Sequence, residues 1–227
     1  DRTFVISLLY YFGILTLTRR RTEVGEHILR IPNLVMKKLY AEQIREMLLP
    51  DTDRDEVLDI AKIFYTTGDM QPLCDFMARK YFRTFDNRDH RWANELTIKT
   101  AFVTLLFNDV FYITDSEPAL GRGYADLVMI VRPDMRQYKL LDLLIEFKYI
   151  PLGKNKLTGK QVRAMGMAEL AALKPVKEKL AEARTGLAEY RQKLEDIYGS
   201  RLRLRTYAVV AVGFDGLVWE EVVRAEG

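Results

Sequence analysis

The apolar positions change period several times along the chain. Residues 4–11 read as a helix. An apolar stretch over 14–18, a basic turn through Arg19, Arg20, Arg21 and Gly25, and a second short run over 28–31 follow it. Two β-prone runs joined by turn chemistry predict a hairpin. Pro32 and Asn33 end it, and residues 34–49 return to helical spacing through Leu39, Ile44, Met47 and Leu48 before Pro50 stops them. Helix, β-wing and helix make a small winged-helix-like unit. Further helices are expected over 55–66, closed by Gly68, and over 70–82. Residues 1–75 are thus read as a helical, winged-helix-like subdomain and residues 76–227 as a second domain.

Beyond residue 86 the pattern alternates. A long amphipathic helix is expected over 87–107, with Trp92, Leu96, Phe102, Leu105 and Leu106 at its apolar positions and Glu95 among them. Short β-branched or aromatic runs over 111–114, 125–131 and 140–149 are separated by turn signals, including Pro118 with Gly121 and Pro133 with Asp134. These predict a three-stranded meander. Residues 160–173 and 175–198 are helical by period, with Pro175 suited to a first turn, and 206–214 form a continuous apolar strand of the buried kind. The order α, β, β, β, α, β follows. A long helical connection into the last strand requires a crossover and some parallel pairing, hence an α/β layer rather than a sandwich. No internal repeat or low-complexity tract interrupts it.

Composition narrows the possible classes. With 48% apolar residues in 227, the chain has enough to fill a core, and disorder is excluded as its main state. The single cysteine, Cys74, together with only His27 and His90, excludes a disulfide scaffold and a cysteine–histidine zinc site. The longest uncharged apolar run, residues 3–18, falls short of the ~20 residues a membrane span needs, so no membrane segment is expected. No signal-peptide pattern follows Asp1 and Arg2, and the missing initiator methionine points to a piece of a longer protein. The net charge is only +3, but residues 150–205 hold 13 Lys and Arg against 6 Asp and Glu. That segment suits a polyanion partner, and it equally suits a solvated helix face.

The candidate chemistry sits on the third expected strand. The two-residue period puts Asp142, Leu144, Glu146 and Lys148 on one face and Leu141, Leu143, Ile145, Phe147 and Tyr149 on the other. Asp126, near the start of the preceding strand, comes beside Glu146 if the two strands pair antiparallel through the Pro133 turn. Hard divalent cations such as Mg²⁺ are held by one or two carboxylates plus water and substrate phosphate. Asp126 and Glu146 meet that need, with the backbone carbonyl of Phe147 as a further ligand. Lys148 is suited to orienting or deprotonating a water, or to balancing charge on a phosphate. An isolated Glu-x-Lys on a strand is ordinarily a surface ion pair worth about 0–1 kcal/mol; here the pair ends an apolar strand and faces Asp126. Residues 153–160 fail as a phosphate loop, because the glycines are wrongly spaced and Gln161 stands where Ser or Thr is required.

Residues 121–126, reading GRGYAD, and 145–149, reading IEFKY, resemble the PD-(D/E)XK nuclease superfamily. More closely, they resemble the nuclease domain at the C-terminus of proteins whose N-terminal part is an AAA-type ATPase. The likeness extends upstream to LLYYFGILT at 8–16 and IPN at 31–33. It implies a restriction-endonuclease-like αβββαβ core, Asp126 and Glu146 as ligands of Mg²⁺ or Mn²⁺, Lys148 as the catalytic lysine, and Glu95 as an added acid of the site. Tyr190 matches a tyrosine of the crossover helix in relatives, read here either as a phosphate contact or as a packed aromatic. The glutamine that relatives carry four residues earlier is Gly186 in this chain. The resemblance further implies a metal-dependent deoxyribonuclease with nucleic acid as partner, joined to an AAA-type ATPase domain outside this sequence. A homo-oligomer, a cytoplasmic location and a role in defence go with it. The alternative, opened by Gly186, is a catalytically silent nuclease-fold module that binds nucleic acid or protein. A third reading makes the winged-helix-like unit a reader of duplex DNA.

Overall fold

The computed structural model describes residues 2–22, 24–30, 39–40, 42–43, 46, 51–84, 94–116, 118–120, 123–153 and 157–223. A helix α1 (Arg2–Tyr11) leads into the expected hairpin, β1 (Thr16–Arg21) antiparallel to β2 (His27–Arg30). The helix expected over 34–49 lies mostly outside the described residues. Two helices follow, α2 (Asp51–Thr67) and α3 (Gln71–Arg79), the second continued by a short 3-10 turn at Tyr81–Thr84. Val57, Ile60, Ala61 and Phe64 recur on one stripe of α2, and all are buried. Gly68 ends that helix at φ +79, where a Cβ would stand 2.5 Å from the Tyr207 hydroxyl, so both backbone angle and space call for glycine.

The centre of the molecule is a five-stranded mixed sheet in the order β3-β6-β7-β8-β9. Its strands are β3 (Tyr112–Ser116), β6 (Leu127–Val131), β7 (Asp142–Ile150), β8 (Leu204–Val212) and β9 (Gly216–Glu221). A small hairpin of β4 (Ala119–Leu120) and β5 (Gly123–Tyr124) projects between β3 and β6. The meander β3-β6-β7 is antiparallel, and β8 pairs with β7 in parallel. The crossover between them is built from α5 (Gly159–Ala164), α6 (Met167–Ala172) and the 25-residue α7 (Lys174–Tyr198). Together with α4 (Glu95–Leu106), this is the αβββαβ order expected from the pattern, and the mixed α/β sheet is consistent with a restriction-endonuclease-like fold.

Both faces of the sheet are covered. Leu143, Ile145 and Phe147 of β7 pack with Phe64, Phe76 and Phe102 from α2, α3 and α4, and the rings of Phe102 and Phe147 lie 5.0 Å apart. On the other face Leu144 and Ile150 meet Val176, Leu180, Ala183 and Leu187 of the crossover. Hydrogen bonds tie the helical layer together and to the sheet: the Tyr65 hydroxyl of α2 donates to Leu106 O of α4 at 2.7 Å, Leu141 N, just before β7, to Tyr65 O at 2.9 Å and the Tyr207 hydroxyl of β8 to Gly68 O at 2.9 Å.

Helix α2 begins at Asp51 rather than at residue 55, β8 spans Leu204–Val212 rather than 206–214, and other boundaries also depart from the pattern. Helix α4 begins at Glu95, not at residue 87, because Asn94 is extended and its side chain accepts from Thr97 N at 3.0 Å as an N-cap; residues 85–93 lie outside those described. Strand β6 begins at Leu127, leaving Asp126 in a bend before it. The helix expected over 160–173 breaks into α5 and α6 at Met165 and Gly166, both extended, and Glu169 accepts from Gly166 N at 3.0 Å at the new start. Strand β9 was not anticipated. Gly213 at φ +60 turns the chain back through Asp215, and Gly216–Glu221 pairs with β8.

Candidate active site

Three elements bring their charged side chains to one end of β7. The β6–β7 register pairs Leu127 with Ile145, so Asp126, one residue earlier, stands across from Glu146. Because Asp126 lies in a bend and not in the ladder, its carboxylate turns back onto the neighbouring strand, where Oδ2 accepts from Phe147 N at 2.8 Å. Its Oδ1 lies 3.4 Å from Lys99 Nζ, which reaches over from α4. Glu146 and Lys148 project from the same face of β7, and Lys148 Nζ donates to Glu146 Oε1 at 3.0 Å. Lys148 also lies 3.8 Å from Glu95 Oε1 on α4 and 4.0 Å from Glu182 Oε1 on α7. Asp126, Glu146 and Lys148, like Lys99, are all buried.

Burial and the neighbouring Asp126 push the Glu146 carboxyl above its ordinary range, with Lys148 opposing them. Burial also raises Glu95, which Lys148 opposes. For Lys148 burial acts downward, but Glu146, Glu95 and Asp126 outweigh it and hold the ammonium above its usual value. A lysine ringed by three carboxylates stays charged, which favours a cationic role over that of a base.

One atom of this cluster is left unsatisfied. Glu146 Oε2 is buried with no hydrogen-bond partner among the described residues. Such an atom normally costs about 1–3 kcal/mol, and a bound cation would remove the penalty. The donor set has the chemistry for a hard ion: oxygens of Asp126 and Glu146, with no thiolate or imidazole. No group of three or more His, Cys, Asp or Glu side chains able to hold a metal occurs among the described residues. A two-carboxylate site that completes its shell with water and phosphate is the usual Mg²⁺ arrangement, so the residues fit the ion that the fold implies.

The remaining expected residues divide. Phe147 contributes its N–H to Asp126 and its ring to the core. Glu95, the first residue of α4, reaches Lys148. Tyr190 packs partly buried against the cluster on the α7 side of the sheet, with Lys193 Nζ 5.7 Å from its ring centre. Gly186 does face the site: a Cβ there would stand 3.8 Å from Glu146 Oε1 and 3.5 Å from the Tyr190 ring. Asp142, on the same face of β7 as Glu146, does not join it. It accepts from Arg136 Nη1 and Nη2 at 2.6 and 2.8 Å and from the backbone N–H groups of Val131 and Arg203, a buried structural carboxylate.

Two neighbours of the site escaped the sequence reading. Lys99 stands one helical turn after Glu95, and Glu182 one turn before Gly186, so both were within reach of the four-residue spacing. Each needed the packing of its helix on β7 to become visible.

No helix among the described residues is long and apolar enough to cross a membrane. Neither the curated proteins nor the solved structures contain a match to this chain. Residues 93–198, which carry α4, the β3-β6-β7 meander and the crossover, match the family model of the PD-(D/E)XK nuclease superfamily, a likeness that points to nuclease activity and to the divalent metal such enzymes usually use.

Proposed function

We propose that the chain is a divalent-metal-dependent nuclease that hydrolyses phosphodiester bonds in DNA, with Asp126 and Glu146 holding Mg²⁺ or Mn²⁺ and Lys148 as the catalytic lysine. The observation that carries this reading is the buried, unpartnered Glu146 Oε2 beside Asp126, inside the segment that matches the superfamily. When bound, the ion supplies a Lewis acid for the scissile phosphate and lowers the pKa of a coordinated water. Asp126 is oriented for binding by the Phe147 N–H, which holds one of its oxygens. Lys148, kept charged by Glu146 and Glu95, donates N–H groups to a phosphate oxygen as negative charge grows there. Glu95 is about half exposed, and so has access both to Lys148 and to solvent. The Phe147 carbonyl is assigned as a further ligand and Tyr190 as a residue bordering the phosphate path.

The exposed basic residues of the crossover, among them Lys160, Lys174 and Lys177, are assigned to tracking the nucleic-acid backbone. The AAA-type ATPase domain is carried by the sequence resemblance alone and enters as a partner in the same protein.

The test is incubation of the purified chain with plasmid DNA and with RNA of matched length, in Mg²⁺ or Mn²⁺. Cleavage of DNA by wild type, lost in Asp126→Asn and in Lys148→Ala while both variants stay folded, is the expected result. No cleavage with either metal, together with nucleic-acid binding unchanged in Lys148→Ala, would overturn the assignment and leave a silent binding module.

A further inference from the structure

Lys99 is 5% exposed and sits one turn after Glu95 on α4, with its Nζ 3.4 Å from Asp126 Oδ1. Both oxygens of Asp126 therefore face N–H donors, Phe147 N on one and Lys99 on the other, whereas Glu146 keeps an oxygen with none among the described residues. The two carboxylates are treated unequally by the fold. A lysine carries a high penalty for burial unless it is paired, and the pairing found here is with the acid read as a metal ligand.

We propose that Lys99 is a positioning residue that serves as a resident cation of the site. It holds Asp126 and takes the electrostatic place of a second metal ion, so that the site accepts one divalent ion and not two. The inference rests on the metal-dependent reading above. Its basis is charge. Glu182 is engaged by Lys179 at 2.6 Å, which leaves Glu95, Asp126 and Glu146 against Lys99 and Lys148, one net negative charge. One divalent ion turns this into one net positive charge, matched to the single negative charge of a phosphodiester. A second ion would raise the cluster's net charge to three positive, and low-dielectric repulsion opposes that strongly. Without Lys99 the same cluster carries two negative charges and is only neutralised by the first ion, so a second becomes acceptable. The position of Lys99 supports the same conclusion, because its Nζ, 3.4 Å from Asp126 Oδ1, already puts a positive charge beside the oxygen that the Phe147 N–H leaves open.

The experiment is a Mn²⁺ titration of the full chain without nucleic acid, read by calorimetric stoichiometry and by electron paramagnetic resonance, for wild type, Lys99→Met, Lys99→Gln and Lys99→Arg. Wild type is expected to bind one Mn²⁺. Lys99→Met is expected to bind two, with the dipolar-coupled spectrum of a metal pair and the first ion at least about tenfold tighter, while Lys99→Arg returns to one. Lys99→Gln, which keeps a donor toward Asp126 without the charge, is expected to follow Lys99→Met and supplies the answer if the methionine variant does not fold. Two ions on wild type, or one ion at unchanged affinity on both neutral variants, overturns the role of Lys99. Failure of wild type to bind any Mn²⁺ is a different outcome: it overturns the metal-dependent reading, and the inference built on it falls too.

Discussion

Replacing Gly186 is expected to stabilise the protein, although the position lies beside the candidate active site. Gly186 is in the interior of α7 and does not need the left-handed backbone that favours glycine. A Cβ there meets the Tyr190 ring at 3.5 Å and Glu146 Oε1 at 3.8 Å, both ordinary van der Waals separations. Nothing has to move. Gly186→Ala therefore gains the helix-propensity difference of about 1 kcal/mol, much of it from the lower entropy of the unfolded chain. For a chain of 227 residues that is a rise in Tm of roughly 2–4 °C. Gly186→Gln has nearly the same propensity and can also aim an amide N–H at the Glu146 carboxylate, for a further ~1 kcal/mol. Thermal unfolding of the metal-free protein followed by circular dichroism measures both. A double-mutant comparison isolates the hydrogen bond, since the excess of Gln over Ala should vanish in a Glu146→Ala background. Loss of stability in Gly186→Ala, or an excess for Gln that survives removal of Glu146, would refute the placement of this helix stripe against β7.

The pH dependence of the metal-free protein follows from Glu146. Its folded pKa is raised above the ordinary 4.5, so its contribution to stability is full below that value and is lost as pH rises through the folded pKa. Glu146→Gln, which cannot ionise, is expected to melt above wild type at pH 7–8 without metal. The gap should close toward pH 4.5, and Mn²⁺ should raise the wild-type Tm only. Arg136→Met leaves the Asp142 carboxylate buried and stripped of its bidentate partner, so urea denaturation should show a loss of about 3–5 kcal/mol, with Mn²⁺ affinity of the folded protein unchanged. Gly68→Ala imposes a Cβ at φ +79 and 2.5 Å from the Tyr207 hydroxyl; a loss of at least ~1 kcal/mol is expected, and a neutral result would contradict the close approach of α2 to β8.

The order of the core elements is legible in the sequence because each rests on a period within the segment itself. Alternation over residues 142–150 defines a strand whatever lies beside it, and it is the same alternation that puts Glu146 and Lys148 on one face. The antiparallel register that sets Asp126 across from Glu146 was within reach too, since a meander through the Pro133 turn leaves few alternatives. Boundaries were less legible. The start of α4 depends on one side chain, Asn94, capping a backbone N–H, and β9 depends on a turn at Gly213–Asp215 that local hydrophobicity does not mark.

Charge roles were decided almost wholly by tertiary packing. Asp142 and Glu146 are the same kind of residue on the same strand face, and the sequence separates them only through the pairing that sets Asp126 opposite Glu146. The fold gives Asp142 a bidentate arginine and two backbone donors, and leaves one oxygen of Glu146 buried with no partner among the described residues. Lys99 reads in sequence as one basic position on an amphipathic helix, yet it is buried against Asp126, 27 residues away along the chain. The physical reason is range. Hydrophobic period is a property of neighbours along the backbone, whereas desolvation and Coulomb energy depend on what lies within a few ångströms in space. The sequence by itself therefore determined which side chains were available for chemistry, and only the packing of α4 and α7 onto β7 decided which of them meet.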